Sequence, residues 1–298
     1  MDPFIVLFGL GVGVLVGLTG MGGGSLMTPL LILVFGVKPI TAIGTDLAYA
    51  AVTKTVGGIK HFRQHTVEVG LSTWMALGSV PSAIAGVYVL EALERGYGQD
   101  FDQLLIALLG GALLFTGVAV LARALFLRSL VERERENLSL ERRHKVAAVV
   151  VGVFVGFVLG VTSAGSGALI AVALILLFRL VPRRVVGTDV FHAAILLWAA
   201  AAAHLVAGNV DFALAGSILI GSVPGVWVGS HWSVRLPTAT LRTVLAVVLL
   251  GSGLGLLSKA GLDVPVAVLA GVPIVVAVVI AAYELLRRRR PALAGSER

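Results

Sequence analysis

The sequence predicts an all-α polytopic membrane protein, built as two repeats of about five helical segments each, inverted relative to one another, plus a C-terminal helix. Three observations predict it. The 298-residue chain is 58% hydrophobic and only 13% charged, with a mean hydropathy of +1.00, more apolar surface than one soluble core of this length can hide. Apolar runs such as VAAVVVGVFVGFVLGV and TVLAVVLLGSGLGLL approach the roughly 20 residues that cross a bilayer. Residues 17–86 also align on 160–229 without a gap, and 23 of the 70 pairs are identical, the self-similarity that duplicated architectures leave.

The elements follow in chain order. MDPFIVLFGL lacks the basic start and small-residue cleavage site of a secretory signal, so the first apolar run, 3–20, is expected as a retained helix. Further runs fall near 24–37, 41–59, 69–90, 103–125, 146–162, 165–180, 186–207, 211–231, 239–257 and 264–286. All are expected as helices, because lipid offers backbone polar groups no partner outside the segment. Residues 1–125 form the first membrane repeat, 126–145 a charged cytoplasmic connector, 146–257 the second repeat, and 258–298 a C-terminal helix with a basic cytoplasmic tail. The stretch RALFLRSLVERERENLSLERRHK around the connector reads as a charged amphipathic helix at the membrane surface.

Charge sets the orientation. Seven Lys or Arg lie within 123–145 and four more form RRRR at 287–290, and basic residues flanking membrane segments mark the cytoplasmic side. That explains most of the net charge of +7 with no nucleic-acid partner. KHFRQH at 60–65 and FRLVPRR at 178–184 fall on the same side, whereas Glu91, Glu94, Asp100 and Asp102, against Arg95, fall outside. The expected location is therefore the cytoplasmic membrane, multi-pass, with the N-terminus outside and the C-terminus inside. The chain has no cysteine, which excludes disulfides and cysteine metal sites.

Motifs recur in one register of the repeat. GTD at 44–46 meets GTD at 187–189, GSVP at 78–81 meets GSVP at 221–224, Pro39 meets Pro182, and His61 meets His204. Five segments per copy is an odd number, so the copies enter the membrane from opposite sides. Many secondary transporters use that arrangement for alternating access, although channels and membrane scaffolds also duplicate.

The two copies share one unusual element. GLTGMGGGSL at 17–26 and GVTSAGSGAL at 160–169 place glycines where each costs roughly 1 kcal/mol in a helix. In each, the helix breaks and restarts toward Leu26 or Leu169, presenting free N–H groups and a positive dipole end that favour an anion. The candidate substrate-binding residues here are Thr19, Gly22, Gly23, Gly24 and Ser25, and in the second copy Thr162, Ser163, Gly165 and Ser166. The same glycines can serve as tight hairpin turns or close-packing points. The first two segments of each copy either span fully or form a re-entrant hairpin, which would set the two glycine tips face to face near the midplane.

Ionisable residues inside apolar segments are costly and usually functional. Thr45 and Asp46 match Thr188 and Asp189, and their bland reading is helix N-capping. Tyr49 and His192, three residues on, share a face with the aspartates and could donate to a bound oxyanion or to the aspartates themselves. Lys54, whose counterpart is Leu197, either contacts substrate from a cavity or snorkels to the interface. Asp46, Asp189, His192 and His204 are the candidates for proton coupling, and His61 and His65 are expected in a solvated cytoplasmic loop. The chain lacks G-x-x-x-x-G-K-[ST], H-E-x-x-H and G-x-S-x-G, so neither ATP-driven transport nor enzymatic activity is expected, and no cofactor or metal is implied.

The stretch from Gly17 to Pro29, Gly44-Thr45-Asp46, Lys54 and the basic loop GGIKHFRQHTVE resemble the TauE/SafE family of sulfite exporters and toluene-sulfonate uptake permeases. The degenerate second copy and GSVPG at 221–225 look like the family too. The resemblance implies secondary transport, with export expected, of small sulfur oxyanions or organosulfonates such as sulfite or sulfoacetate, the lipid bilayer being the other partner. It leaves a homo-oligomer, an anion channel and a carrier of another small carboxylate or oxyanion open. One departure matters. Many members carry a small hydroxyl or Asn where this chain has Asp46 and Asp189, and an anionic Asp would repel an anion, so neither is expected to ligate substrate directly.

Overall fold

A computed structural model describes residues 3–19, 24–125, 140–164, 167, 169–233 and 238–279. The first repeat comprises α1 (Pro3–Thr19), α2 (Gly24–Val34), α3 (Pro39–Arg63), α4 (Val69–Tyr97) and α5 (Phe101–Leu125). The second comprises α6 (Arg142–Thr162), α7 (Leu169–Leu176), α8 (Pro182–Val206), α9 (Phe212–Ser233) and α10 (Thr238–Lys259). A further helix, α11 (Val266–Val279), follows. No β-strand occurs among the described residues. Among the described residues five helices, α4, α5, α6, α8 and α9, are long and apolar enough to cross a membrane. The structure is an all-α polytopic membrane protein.

Helix starts follow the prolines. Pro39 and Pro182 open α3 and α8 at the first helical positions, where a missing N–H costs nothing and φ is preset. Asp46 and Asp189 therefore sit two turns inside their helices. The capping reading of the GTD motifs is wrong, because each helix begins seven residues earlier than the motif's aspartate, at a proline. His61 likewise lies in the last turn of α3 rather than in a solvated loop.

The opening segments of each repeat form hairpins. At 1.5 Å per residue, α2 with 11 residues and α7 with 8 are only about 16 and 12 Å long, too short for a 30 Å hydrocarbon core. Phe35, just after α2, packs edge-on against Phe4 and Phe8 at the start of α1, with ring centroids 6.0 and 4.7 Å apart. Phe178, the equivalent of Phe35, packs against His144 at the start of α6, 6.2 Å away. Each hairpin thus returns to the end of the bundle where it began.

The helices pack as α1 with α9, α4 with α6, α3 with α8 and α5 with α10. Exchanging each residue for its partner 143 positions away turns the first pair into the second and the other two into themselves. The correspondence holds residue by residue. Gly9, Gly13 and Gly17 of α1 abut the backbone at Ile218, Ser222 and Val226, and Gly152, Gly156 and Gly160 of α6 abut it at Met75, Ser79 and Ala83. Small residues let these parallel helices touch backbone to backbone. Equivalent helices run antiparallel instead: Gly110 of α5 meets Gly253 of α10, and Gly117 meets Leu250.

The GTD motifs lock the halves together. A Cβ on Gly44 would strike the Asn209 carbonyl, and one on Gly187 the Thr66 carbonyl. Thr45 Oγ1 accepts from the Asp211 N–H at 3.0 Å, and Thr188 Oγ1 from the Glu68 N–H at 2.9 Å, so each threonine serves the start of a helix in the other repeat. Beside the second contact, Arg184 pairs with Glu68. Burial pushes the Glu68 carboxyl above its ordinary range, and the Arg184 guanidinium opposes that shift. This end gathers residues 61–68 and 184–188, whereas Glu91, Glu94 and Arg95 share the opposite end with residues 206–209.

Helix α6 begins at Arg142, inside the expected connector, and most of that connector, 126–139, lies outside the described residues, as does the basic tail from 280.

Candidate functional site

The first turn of α2 and the end of α6 meet in the interior around Asp46. Ser163 caps the end of α6 in a left-handed conformation, φ 56°, which turns its hydroxyl across to the first repeat. Thr28, one turn into α2, lies 2.7 Å from the Ser163 hydroxyl. Both hydroxyls also reach the same Asp46 oxygen, Oδ2, at 2.7 Å from Thr28 and 3.0 Å from Ser163. The other oxygen, Oδ1, is buried without a donor. Neighbouring helices α2 and α3 and the distant end of α6 are thereby tied to one carboxyl group.

The equivalent position in the other half is built differently. The counterparts of Thr28 and Ser163 are Ala171 and Gly20, so the equivalent of that hydroxyl pair is missing from the second half. Instead Lys54 of α3 places its Nζ 3.8 Å from Asp189 Oδ2, with both side chains nearly closed to solvent at 5% and 8% exposure. The antiparallel packing of α3 on α8 brings about this pair. It leaves Lys54 Nζ without a hydrogen-bond acceptor, so its donors remain available.

Lys54 also lines a cavity of about 410 Å³ at the end of α1. Val16 and Gly17, just before the first glycine tip, form one wall, and Val52, Val56, Val223 and Val226 form apolar sides. The polar groups in the lining are few: Thr53, Lys54, His61 and Ser230. A small number of placed polar groups in an apolar cleft is the usual make-up of a small-molecule site. The ammonium is the group in it suited to an anion.

A second symmetric pair flanks the tips. Ser79 of the first GSVP motif lies 3.2 Å from His192 Nε2, and Ser222 of the second lies toward the Tyr49 hydroxyl. His204, fully buried, places Nε2 3.1 Å from the Gly160 carbonyl near the end of α6. The Thr162 hydroxyl donates back to the Val158 carbonyl at 2.6 Å and accepts from the Ala164 N–H at 3.2 Å.

Of the residues expected from sequence, the structure brings Asp46 together with Ser163, and Lys54 together with Asp189. Tyr49 and His192 border the same interior. Thr45, Thr188, Thr162 and His204 hold backbone groups instead. Gly22, Gly23, Gly165 and Ser166 lie outside the described residues, as do the side chains of Thr19 and Ser25, while Gly24 opens α2. Sequence reading missed Thr28, Ser79 and Ser222. The recurrence of GSVP in one register was a usable signal for the two serines, whereas Thr28 has none, since Ala171 stands opposite it in the repeat.

Apolar helices around paired interior hairpins, meeting over buried charges, define a membrane transporter. The chain belongs to the TauE/SafE family: the family model described as Sulfite exporter TauE/SafE matches residues 5–256. The probable membrane transporter protein YjnA of Bacillus subtilis (strain 168) is 40% identical over 257 residues, 86% of this chain and all of that protein. The probable membrane transporter protein YdhB of the same organism is 27% identical across 81% of this chain and 94% of its own length. No solved structure matches the chain.

Proposed function

We propose that the protein is a secondary transporter, not an enzyme, that carries a small sulfur-containing anion such as sulfite or an organosulfonate across the cytoplasmic membrane. Export is the direction the family description names. The observation that carries this reading is Lys54, a residue that lines a cavity at the end of α1 and whose ammonium is buried with unused donors. The anion takes the Lys54 ammonium in competition with Asp189 and gathers N–H groups from the start of α2, where the helix dipole is positive. Alternating access is supported by the antiparallel packing of equivalent helices and by hairpins that enter from opposite ends. In this cycle the site at the tips faces one end of the bundle and then the other, as one repeat rocks against its partner.

Purified protein in liposomes, offered labelled sulfite, sulfoacetate, thiosulfate and chloride in turn, tests the proposal. Saturable flux of a sulfur anion, competed by its unlabelled form, is the expected result. Unsaturable chloride conductance would identify a channel, and no flux of any of the four would remove the sulfur-anion reading.

A further inference from the structure

We propose that the triangle of Thr28, Asp46 and Ser163 is the site of the transported proton, which rides on Asp46 as a neutral carboxylic acid between the two hairpin tips. The inference rests on the transporter reading above and names the ion that drives it. Its basis is a count of hydrogens. Three oxygens, Thr28 Oγ1, Ser163 Oγ and Asp46 Oδ2, lie mutually 2.7, 2.7 and 3.0 Å apart, within hydrogen-bond distance on every side. Each side of the triangle needs one hydrogen, and the two hydroxyls supply one apiece. If both hydroxyls donate to an ionised Asp46, two lone pairs face each other across the 2.7 Å side between Thr28 and Ser163. A proton on Asp46 Oδ2 completes a closed ring of three donors and three acceptors.

The internal repeat supplies an independent argument. Asp189, the equivalent carboxyl, has a cation supplied by the chain in Lys54. The position equivalent to Lys54 in the other half is Leu197, so Asp46 has no such built-in counter-charge. A fully buried carboxylate with one oxygen lacking a donor is strongly disfavoured, and a mobile proton removes that cost. One half carries a fixed positive charge and the other an exchangeable one.

The surroundings contain little else that titrates. Helix α2 brings the Thr28 hydroxyl and backbone and the end of α6 the Ser163 hydroxyl, and the tip residues 20–23 and 165–168 contain no ionisable side chain. On α3 itself Tyr49 faces the carboxyl. From α8, Asp189 is held by Lys54, and His192 and His204 are directed at Ser79 and the Gly160 carbonyl. Ser222 is the contribution of α9. On α10, Lys259 donates to the Ile32 carbonyl at 2.6 Å, at the far end of α2. Loss of the proton opens the ring and unties the tip of α6 from α2, which links protonation to movement of the hairpins.

Infrared spectroscopy of the purified full-length protein in lipid at neutral pH reads a protonated carboxyl directly through its C=O band, without any substrate. The expected result is one such buried band, lost in Asp46→Asn and retained in Asp189→Asn. Thr28→Val, which preserves shape, moves the band without abolishing it. Absence of the band in wild type, or its loss in Asp189→Asn instead, overturns the proposal. In liposomes, a one-proton cycle accumulates the labelled anion about tenfold per unit of imposed pH gradient, and Asp46→Asn abolishes that accumulation. Saturable wild-type flux that ignores the pH gradient refutes proton coupling alone, whereas no flux of any sulfur anion refutes the transport reading and leaves the infrared result standing.

Discussion

Lys54 can be tested as both a structural and a substrate-binding residue, because the two roles separate in a double variant. Its Nζ is 3.8 Å from Asp189 Oδ2 and both side chains are more than nine-tenths closed to solvent, so salt screens the pair little. At an effective dielectric constant near 20 the attraction is about 4 kcal/mol. Lys54→Met keeps most of the packing volume but leaves Asp189 buried without its counter-charge, a change that costs about 3–5 kcal/mol in comparable cases. Lys54→Met combined with Asp189→Asn removes both charges and should recover most of that loss. Thermal unfolding of the purified variants measures this step, and stabilisation by added sulfite measures binding. If the ammonium holds the anion, the double variant is stable yet loses one charge-assisted hydrogen bond of about 1.5–3 kcal/mol, or roughly ten- to a hundredfold in affinity. Full sulfite stabilisation in the stable double variant would refute the substrate role. An unchanged melting temperature in Lys54→Met would refute the buried ion pair.

Other consequences follow from the packing and the charged end. Gly13→Val and Gly156→Val occupy equivalent positions, against Ser222 and Ser79. Both should lower melting temperature and yield by similar amounts, at least the 1–3 kcal/mol typical of overpacking, and a harmless substitution at either site would contradict the backbone contact. Burial raises the Glu68 carboxyl from its reference value of 4.5, so the favourable contribution of its protonated form is present below that value and declines as pH rises through the higher folded value. Glu68→Gln should therefore flatten the pH dependence of melting temperature just above pH 4.5, and an unaltered slope would contradict the assignment. The chain has no cysteine, so single cysteines introduced at Glu94 and Glu68 can be labelled cleanly. They should react from opposite sides of the membrane, and labelling from one side would contradict a membrane-spanning α4.

Much of this architecture was legible because the repeat is nearly an address system. The shift of 143 residues that aligns Gly13 with Gly156 also aligns the serines they meet, Ser222 and Ser79. The glycine stretches, which cost helix stability for no local reason, pointed to the hairpin tips. What stayed hidden came from relations between elements. Asp46 looked like a cap because it follows Gly-Thr, but the helix had already begun at Pro39, and only the approach of α6 shows that its partners are Thr28 and Ser163. Lys54 could have reached the interface, and nothing local names Asp189 as its partner, since antiparallel packing of α3 on α8 makes that contact. Thr28 breaks the repeat, so a search for shared residues passes over it. The two buried aspartates are equal in sequence and unequal in surroundings.

The most direct test of the account is a disulfide across the tips. Thr28 and Ser163 have side-chain oxygens 2.7 Å apart and come from different hairpins, so Thr28→Cys with Ser163→Cys can join the tips covalently under oxidation. Flux of labelled sulfur anion into liposomes should be saturable before oxidation, stop when the bond forms, and return on reduction, if transport requires the tips to part. Undiminished flux through fully cross-linked protein would contradict alternating access at this site.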